Sequence, residues 1–225
     1  MVGVIPATVT GEGVKMSLSL FHSLLRFPYL YIMVQRSLGA DRMRRTCLDV
    51  FLKLRDGERV LDVGCGPGCI LNYMPRVDYV GFDTEPRYIE YAMDHYSDRG
   101  RFFCERFTQE HLTKFASFDA VMLFGVIHHL DDGEAGNLLG LLAECLNADG
   151  RIVTLDPCLT SGQSRISRWV AASDRGRFVR EERAYRQLVS ERFADVESRI
   201  VANTCRIPST ELIMRLGAPR QPRSI

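Results

Sequence analysis

Between residues 55 and 155, short apolar runs alternate with stretches whose apolar residues recur at helical spacing. Runs at 60–63, 77–83, 101–105, 118–124 and 151–155 have strand length and predict five strands. The fourth, Phe-Asp-Ala-Val-Met-Leu-Phe, is nearly continuous in apolar residues, as in a parallel strand covered on both faces. Helices are predicted between them over 67–74, over 86–96 behind Pro86, and over 134–146, where Asp131-Asp132-Gly133 supplies the start. Upstream, Leu18, Phe21, Leu24 and Leu25 share a helical face that Pro28 ends. An apolar and aromatic patch at 29–34 follows, and then a further helix over 36–54 that buries Leu38, Cys47, Leu48, Phe51 and Leu52. Runs at 196–200 and 207–214 offer two more strands. Strands alternating with helices predict an α/β fold, a doubly wound and mostly parallel sheet. Three parts are expected: an N-terminal segment and candidate lid over 1–35, the folded domain over 36–216, and a flexible tail over 217–225.

The first apolar run leads into Val60-Leu61-Asp62-Val63-Gly64-Cys65-Gly66-Pro67-Gly68. Alternating glycines after a buried strand predict a tight turn that a ligand can approach closely. The helix start behind such a turn offers unpaired N–H groups and partial positive charge. A nucleotide-like ligand is the natural reading. The dinucleotide pattern G-x-G-x-x-G is not met, because its third glycine position holds Cys69, and this disfavours a nicotinamide oxidoreductase. Asp62 precedes the turn, and Asp83 stands nineteen residues after Gly64 at the end of the second run. A carboxylate there can accept from both hydroxyls of a ribose.

This set of residues resembles the first motif of the class I S-adenosyl-L-methionine (SAM)-dependent methyltransferases. Phe118-Asp119-Ala120-Val121 through Gly125-Val126-Ile127-His128-His129-Leu130, and the turn Leu146-Asn147-Ala148-Asp149-Gly150-Arg151, resemble the branch that includes ubiquinone and menaquinone methyltransferases. The resemblance covers about residues 45–157. It implies a Rossmann-like, seven-stranded, mostly parallel sheet whose last strand is antiparallel, an N-terminal helical lid, and SAM as cofactor. It implies cofactor contacts from Asp62, Gly64, Cys65, Gly66, Gly68, Asp83, Thr84, Phe124 and Gly125. The family often places an acid after the third strand for the adenine amino group, whereas this chain has Arg106 or Phe107 there. Backbone groups of Arg106 and Phe107, and the Phe107 ring face, are the substitutes.

The sulfonium already activates the methyl group, so such an enzyme mainly aligns a nucleophile, worth roughly 7–11 kcal/mol. A general base adds about 10²–10⁴-fold where the nucleophile carries a proton. His128 and His129, just past the fourth strand, are the candidate catalytic residues; packing or hydrogen bonding at a helix start is the other reading. Cys158 reads as a packing residue rather than a nucleophile, and Trp169 and Tyr185 are expected to pack. From Arg165 to Arg186 seven arginines face three acids, a local net of +4. Arg175 and Arg180 are the candidate substrate-binding residues for a carboxylate or phosphate, against a merely solvated face.

Composition narrows the setting. A net charge of +1 gives no global field for nucleic acid. Seven scattered cysteines without paired spacing argue against a disulfide framework or zinc site and for a reducing, cytoplasmic compartment. Residues 1–15 lack signal-peptide features and are expected to be loosely ordered, and His22, Arg26 and Pro28 break the apolar stretch 18–34 too often for a bilayer span. The expectation is a cytoplasmic SAM-dependent methyltransferase without stable membrane insertion. Its acceptor is a small molecule of anionic, quinone-like or lipid-linked kind. The rival is a SAM-binding regulatory or assembly module without transfer activity. Oligomeric state is left open.

Overall fold

The computed structural model describes residues 24, 26–115, 117–173, 177–202 and 206–220. The expectations for residues 1–15, for Leu18, Phe21 and Leu25, and for Arg175 lie outside them. Pro28 begins a helix, since its fixed φ suits a first turn. This is α1, Pro28–Leu38. Gly39, with φ of 83°, ends it and leads into α2, Ala40–Thr46, which widens into a π-helical turn, Cys47–Leu52. The single helix expected over 36–54 is thus divided by a left-handed glycine. Arg151 clamps the π turn to the sheet, donating to the carbonyls of Leu52 and Lys53 and, at 2.8 Å, to Glu58.

The remaining elements are β1 (Arg59–Val63), β2 (Asp78–Phe82), α3 (Pro86–Tyr96), β3 (Gly100–Phe103), α4 (Gln109–Lys114), β4 (Phe118–Phe124), α5 (Asp132–Glu144), β5 (Leu146–Leu159), α6 (Arg165–Ser173), β6 (Arg180–Glu181), α7 (Glu182–Ser190), β7 (Phe193–Ala202) and β8 (Thr210–Pro219). Strand order is β3-β2-β1-β4-β5-β8-β7, with two-residue β6 added beside β5. β8 runs antiparallel to both neighbours, and the other pairings are parallel. The seven-stranded Rossmann-like expectation therefore holds, β6 being an extra. Strand order reverses between β1 and β4, which sets a ligand crevice at their carboxyl ends.

Three boundaries differ from expectation. The helix over 67–74 is one 3₁₀ turn, Cys69–Tyr73, closed in by left-handed Gly68 (φ 72°) and by Pro75. The turn at 147–150 lies within β5, where the pairing register shifts between Phe118 and Ala120. Residues 217–219 belong to β8, and the Arg220 N–H donates to the Arg192 carbonyl at 2.7 Å, so the ordered domain passes residue 216. On one sheet face, Leu61, Val121, Ile152 and Leu212 pack with Leu139 of α5 and Val189 of α7. On the other, Val60, Met122, Val153 and Ile213 pack with Met43, Leu48 and Phe51 of the N-terminal helices. Among the described residues no helix is long and apolar enough to cross a membrane.

Candidate functional site

The crevice opens into a cavity of about 1460 Å³. Single-ligand pockets measure about 300–1,000 Å³, so there is room for a cofactor and an acceptor. Gly64 and Gly66 line it with φ of 82° and 55°. A Cβ on Gly64 would stand 2.5 Å from Val126 Cγ2, whereas one on Gly66 would meet no protein atom within 4 Å. The Gly66 N–H donates to Asp83 Oδ2 at 2.8 Å, and the Glu85 N–H to Oδ1 at 2.9 Å. The Thr84 N–H also bonds this carboxylate, and with about four acceptor positions in all it keeps room for a ligand hydroxyl. Burial holds the Asp83 carboxyl above its ordinary value, as expected of an acceptor shielded from water. Thr84, Arg106, Phe107, Phe124 and Gly125 line the same cavity. Arg106 pairs with Glu134 at 3.3 Å, and the Phe107 ring packs on Phe82 and His111 at 5.3 and 5.5 Å between centroids. Gly68 is a correction: it does not line the cavity, and a Cβ there would touch Phe102, Tyr96 and Ala92, behind the turn. Gly66→Ala is expected to weaken SAM at least tenfold in calorimetry, because the methyl group would project into space the cofactor needs. Left-handed backbone adds about 1–2 kcal/mol of destabilisation.

Beside the glycine turn is a small chamber of about 50 Å³, walled by Asp62, Cys65, Arg44, Tyr31 and Asp41 among others. Arg44 donates to Tyr31 Oη at 3.2 Å and lies 3.6 Å from Asp41. Sequence patterning missed Arg44, which reads as one more cation in Arg42-Met43-Arg44-Arg45. Asp62 accepts from Tyr79 Oη at 2.7 Å, and burial pushes its carboxyl up to about 7. A raised carboxyl favours the folded state at acid pH. Its contribution is complete below pH ~4, where the unfolded carboxyl is still protonated, and is lost as pH rises through about 7. In denaturant melts of the unliganded protein, Asp62→Asn should gain on the wild type as pH rises from about 4 to about 7, by about 1.4 kcal/mol for each pH unit.

On the other side of β4 the chain turns through a 3₁₀ segment, Ile127–His129. His128 and His129 line the cavity with ring centroids 4.1 Å apart. His128 Nδ1 donates to Asp156 Oδ1 at 2.7 Å, and the same oxygen accepts the His128 backbone N–H at 3.1 Å. A carboxylate acceptor so close requires the proton on Nδ1, which makes Nε2 the basic nitrogen of the neutral ring. Asp156 is 1 % exposed, and its Oδ2 has no hydrogen-bond partner among the described residues. It escaped the sequence reading; an acid ending an apolar strand before Pro157 was the available signal.

Beyond β5 the cavity becomes apolar, walled by Leu38, Met43, Leu155, Pro157, Trp169 and Ile207, with Ser209 and Glu211. Trp169 does not pack as expected: it is 59 % exposed and faces this chamber. Tyr185 does pack, its hydroxyl donating to the Pro157 carbonyl at 3.0 Å. Cys158 is buried in the core, and burial pushes its thiol up to about 11, the environment of a packing residue. Arg180 is also corrected. Its side chain is 9 % exposed, bonds Asp132 at 2.7 Å and the carbonyls of Ile127, Leu130 and Phe178, and does not line the cavity. It braces the loop after β4 rather than meeting an acceptor.

A family model described as methyltransferase domain matches residues 35–196. The chain belongs to that family. The enzyme is a SAM-dependent methyltransferase. A TehB-like SAM-dependent methyltransferase from Corynebacterium glutamicum has a similar structure, with TM-score 0.59 and 19% identity over 85% of this chain and 97% of that one. The N-methyltransferase NodS from Bradyrhizobium japonicum, solved with S-adenosyl-L-homocysteine, matches at TM-score 0.57 and 17% identity over 83% and 88%. The [4+2]-cyclase SpnF matches at TM-score 0.60 and 13% identity over 79% and 81%. At such identities the likeness speaks for the fold alone. No curated protein sequence matches the chain.

Proposed function

We propose that this methyltransferase acts on a small, largely apolar acceptor held at the β5–β8 end of the cavity, with His128 taking up the proton the acceptor loses. The observation that carries the reading is the continuity of one cavity from the glycine turn, past His128, to the apolar chamber around Trp169. When bound, SAM supplies an electrophilic methyl group on a sulfonium. Asp83 and the Gly64–Gly66 turn would hold the nucleoside, and the apolar walls would exclude water and orient the acceptor. Asp156 would fix the His128 ring so that Nε2 is the basic nitrogen. A quinone-like or lipid-linked acceptor suits the chamber better than an anionic one, because Arg180 is engaged elsewhere. Six free cysteines among the described residues support a reducing, cytoplasmic setting.

Incubation with isotopically labelled SAM and a metabolite extract tests this reading. A labelled small-molecule product is expected, and tight SAM binding with no labelled product would overturn it.

A further inference from the structure

Helix α6 is turned the opposite way from a helix that buries its apolar side. Its inward residues are small or polar. Ser167 and Ala171 are buried, and Ser167 Oγ bonds Thr210 Oγ1 at 3.1 Å and accepts from Gln163 Nε2 at 2.9 Å. Its large apolar residues point outward, with Ile166 58 % and Trp169 59 % exposed. Helical spacing sets Trp169 between Arg165 and Ile166 on that outer face, with Arg168 beside Arg165. The bond from Ser167 to Thr210 ties α6 to the start of β8, and the loop just before β8 supplies a second piece of the same rim. There Ile207 is 41 % exposed and, like Trp169, lines the cavity. Its neighbour Arg206 is exposed, and the Arg206 N–H donates to the Leu38 carbonyl at 2.8 Å, which holds the loop to the end of α1. Trp169 and Ile207 are thus both wall and rim: part of each faces the apolar chamber and part faces solvent.

Charge gives this rim its partner. Arg165, Arg168 and Arg206 are exposed, and none of the three forms an ion pair among the described residues. An aromatic and aliphatic face flanked by unpaired arginines has the composition of a helix that lies in a bilayer interface. The indole sits at headgroup level, the apolar side chains reach the acyl boundary, and the guanidinium groups meet lipid phosphates. Each cation near an anionic leaflet strengthens binding about fivefold, so three give about a hundredfold. We propose that the outer face of α6 and the loop before β8 form a docking surface for an anionic lipid bilayer, which sets the mouth of the apolar chamber against the headgroups. The chain then lies on the membrane without crossing it. An acceptor dissolved in the bilayer, or anchored to it, reaches the cavity past Trp169 and Ile207 without passing through water. Only this entry of the acceptor rests on the methyl-transfer reading.

The test uses the full chain and two kinds of vesicle, phosphatidylcholine alone and phosphatidylcholine mixed with an equal part of phosphatidylglycerol. Binding is read by co-sedimentation and by the emission of Trp169, the single tryptophan of the chain. The anionic vesicles are expected to bind at least tenfold more tightly than the neutral ones and to shift Trp169 emission to shorter wavelength. They should release most of the bound protein when added salt screens the arginines. Arg165→Glu together with Arg168→Glu should abolish the preference for anionic vesicles while keeping wild-type affinity for SAM, which shows that the variant folds. Trp169→Ala should weaken vesicle binding severalfold. Equal binding to both vesicle types, binding that leaves Trp169 emission unchanged, or binding to neither overturns the docking surface. So does a dimer in analytical sedimentation that Trp169→Ala dissociates, which would make this rim a contact between copies of the chain. A wild-type chain that binds anionic vesicles but not SAM would instead sink the methyl-transfer reading.

Discussion

Asp83→Ala is expected to lower SAM affinity by about 1.5–3 kcal/mol, or roughly 10–150-fold, with the upper end favoured. Two losses combine. The ribose hydroxyls lose a charged acceptor, and the N–H groups of Gly66 and Glu85 lose the oxygens that hold them at 2.8 and 2.9 Å. The second loss loosens the glycine turn at the point where Gly66 would meet the cofactor. Asp83→Asn keeps the shape and one acceptor oxygen, so its defect should be the smaller of the two. Calorimetry with SAM on both variants checks the order, and an affinity unchanged by Asp83→Ala would remove Asp83 from the cofactor site.

What was legible in the chain was local. Strand β4 and helix α3 fall at the residues expected, because a continuous apolar run and a proline at the first helical position are signals contained within one element. The glycine turn and Asp83 were legible for the same reason: adjacent strands β1 and β2 bring them together across a short connection. Asp156, Ser209 and Glu211 were not. Their proximity depends on β8 inserting antiparallel between β5 and β7, which sets residue 211 beside residue 157. No periodicity within a segment encodes that pairing. Arg180 was visible as a charge, but its partners, Asp132 and three backbone carbonyls, belong mostly to the loop after β4. Composition registers a charge without registering what neutralises it. Trp169 illustrates the converse: an aromatic residue on an amphipathic helix normally packs, yet α6 turns it toward the cavity.

The histidine pair, left between two roles by the sequence, is decided by kinetics on variants that preserve shape. His128→Asn keeps a donor in reach of Asp156, yet has no basic nitrogen for the acceptor's proton. With the acceptor found by the labelled-SAM screen, kcat should fall about 10²–10⁴-fold, the usual share of a general base. The KM for SAM should stay within about twofold, and the acid limb of the kcat–pH profile should flatten. Asp156→Asn should lower kcat at least tenfold, because the charge that holds the Nδ1 proton and favours the protonated ring at 2.7 Å is gone. If Asp156 acts through His128, the double variant is no slower than His128→Asn alone, since the two effects share one route. A purely structural pair would behave differently. The variants would melt earlier in proportion to the lost buried hydrogen bond, kcat at saturating acceptor would stay near that of the wild type, and the pH profile would not move.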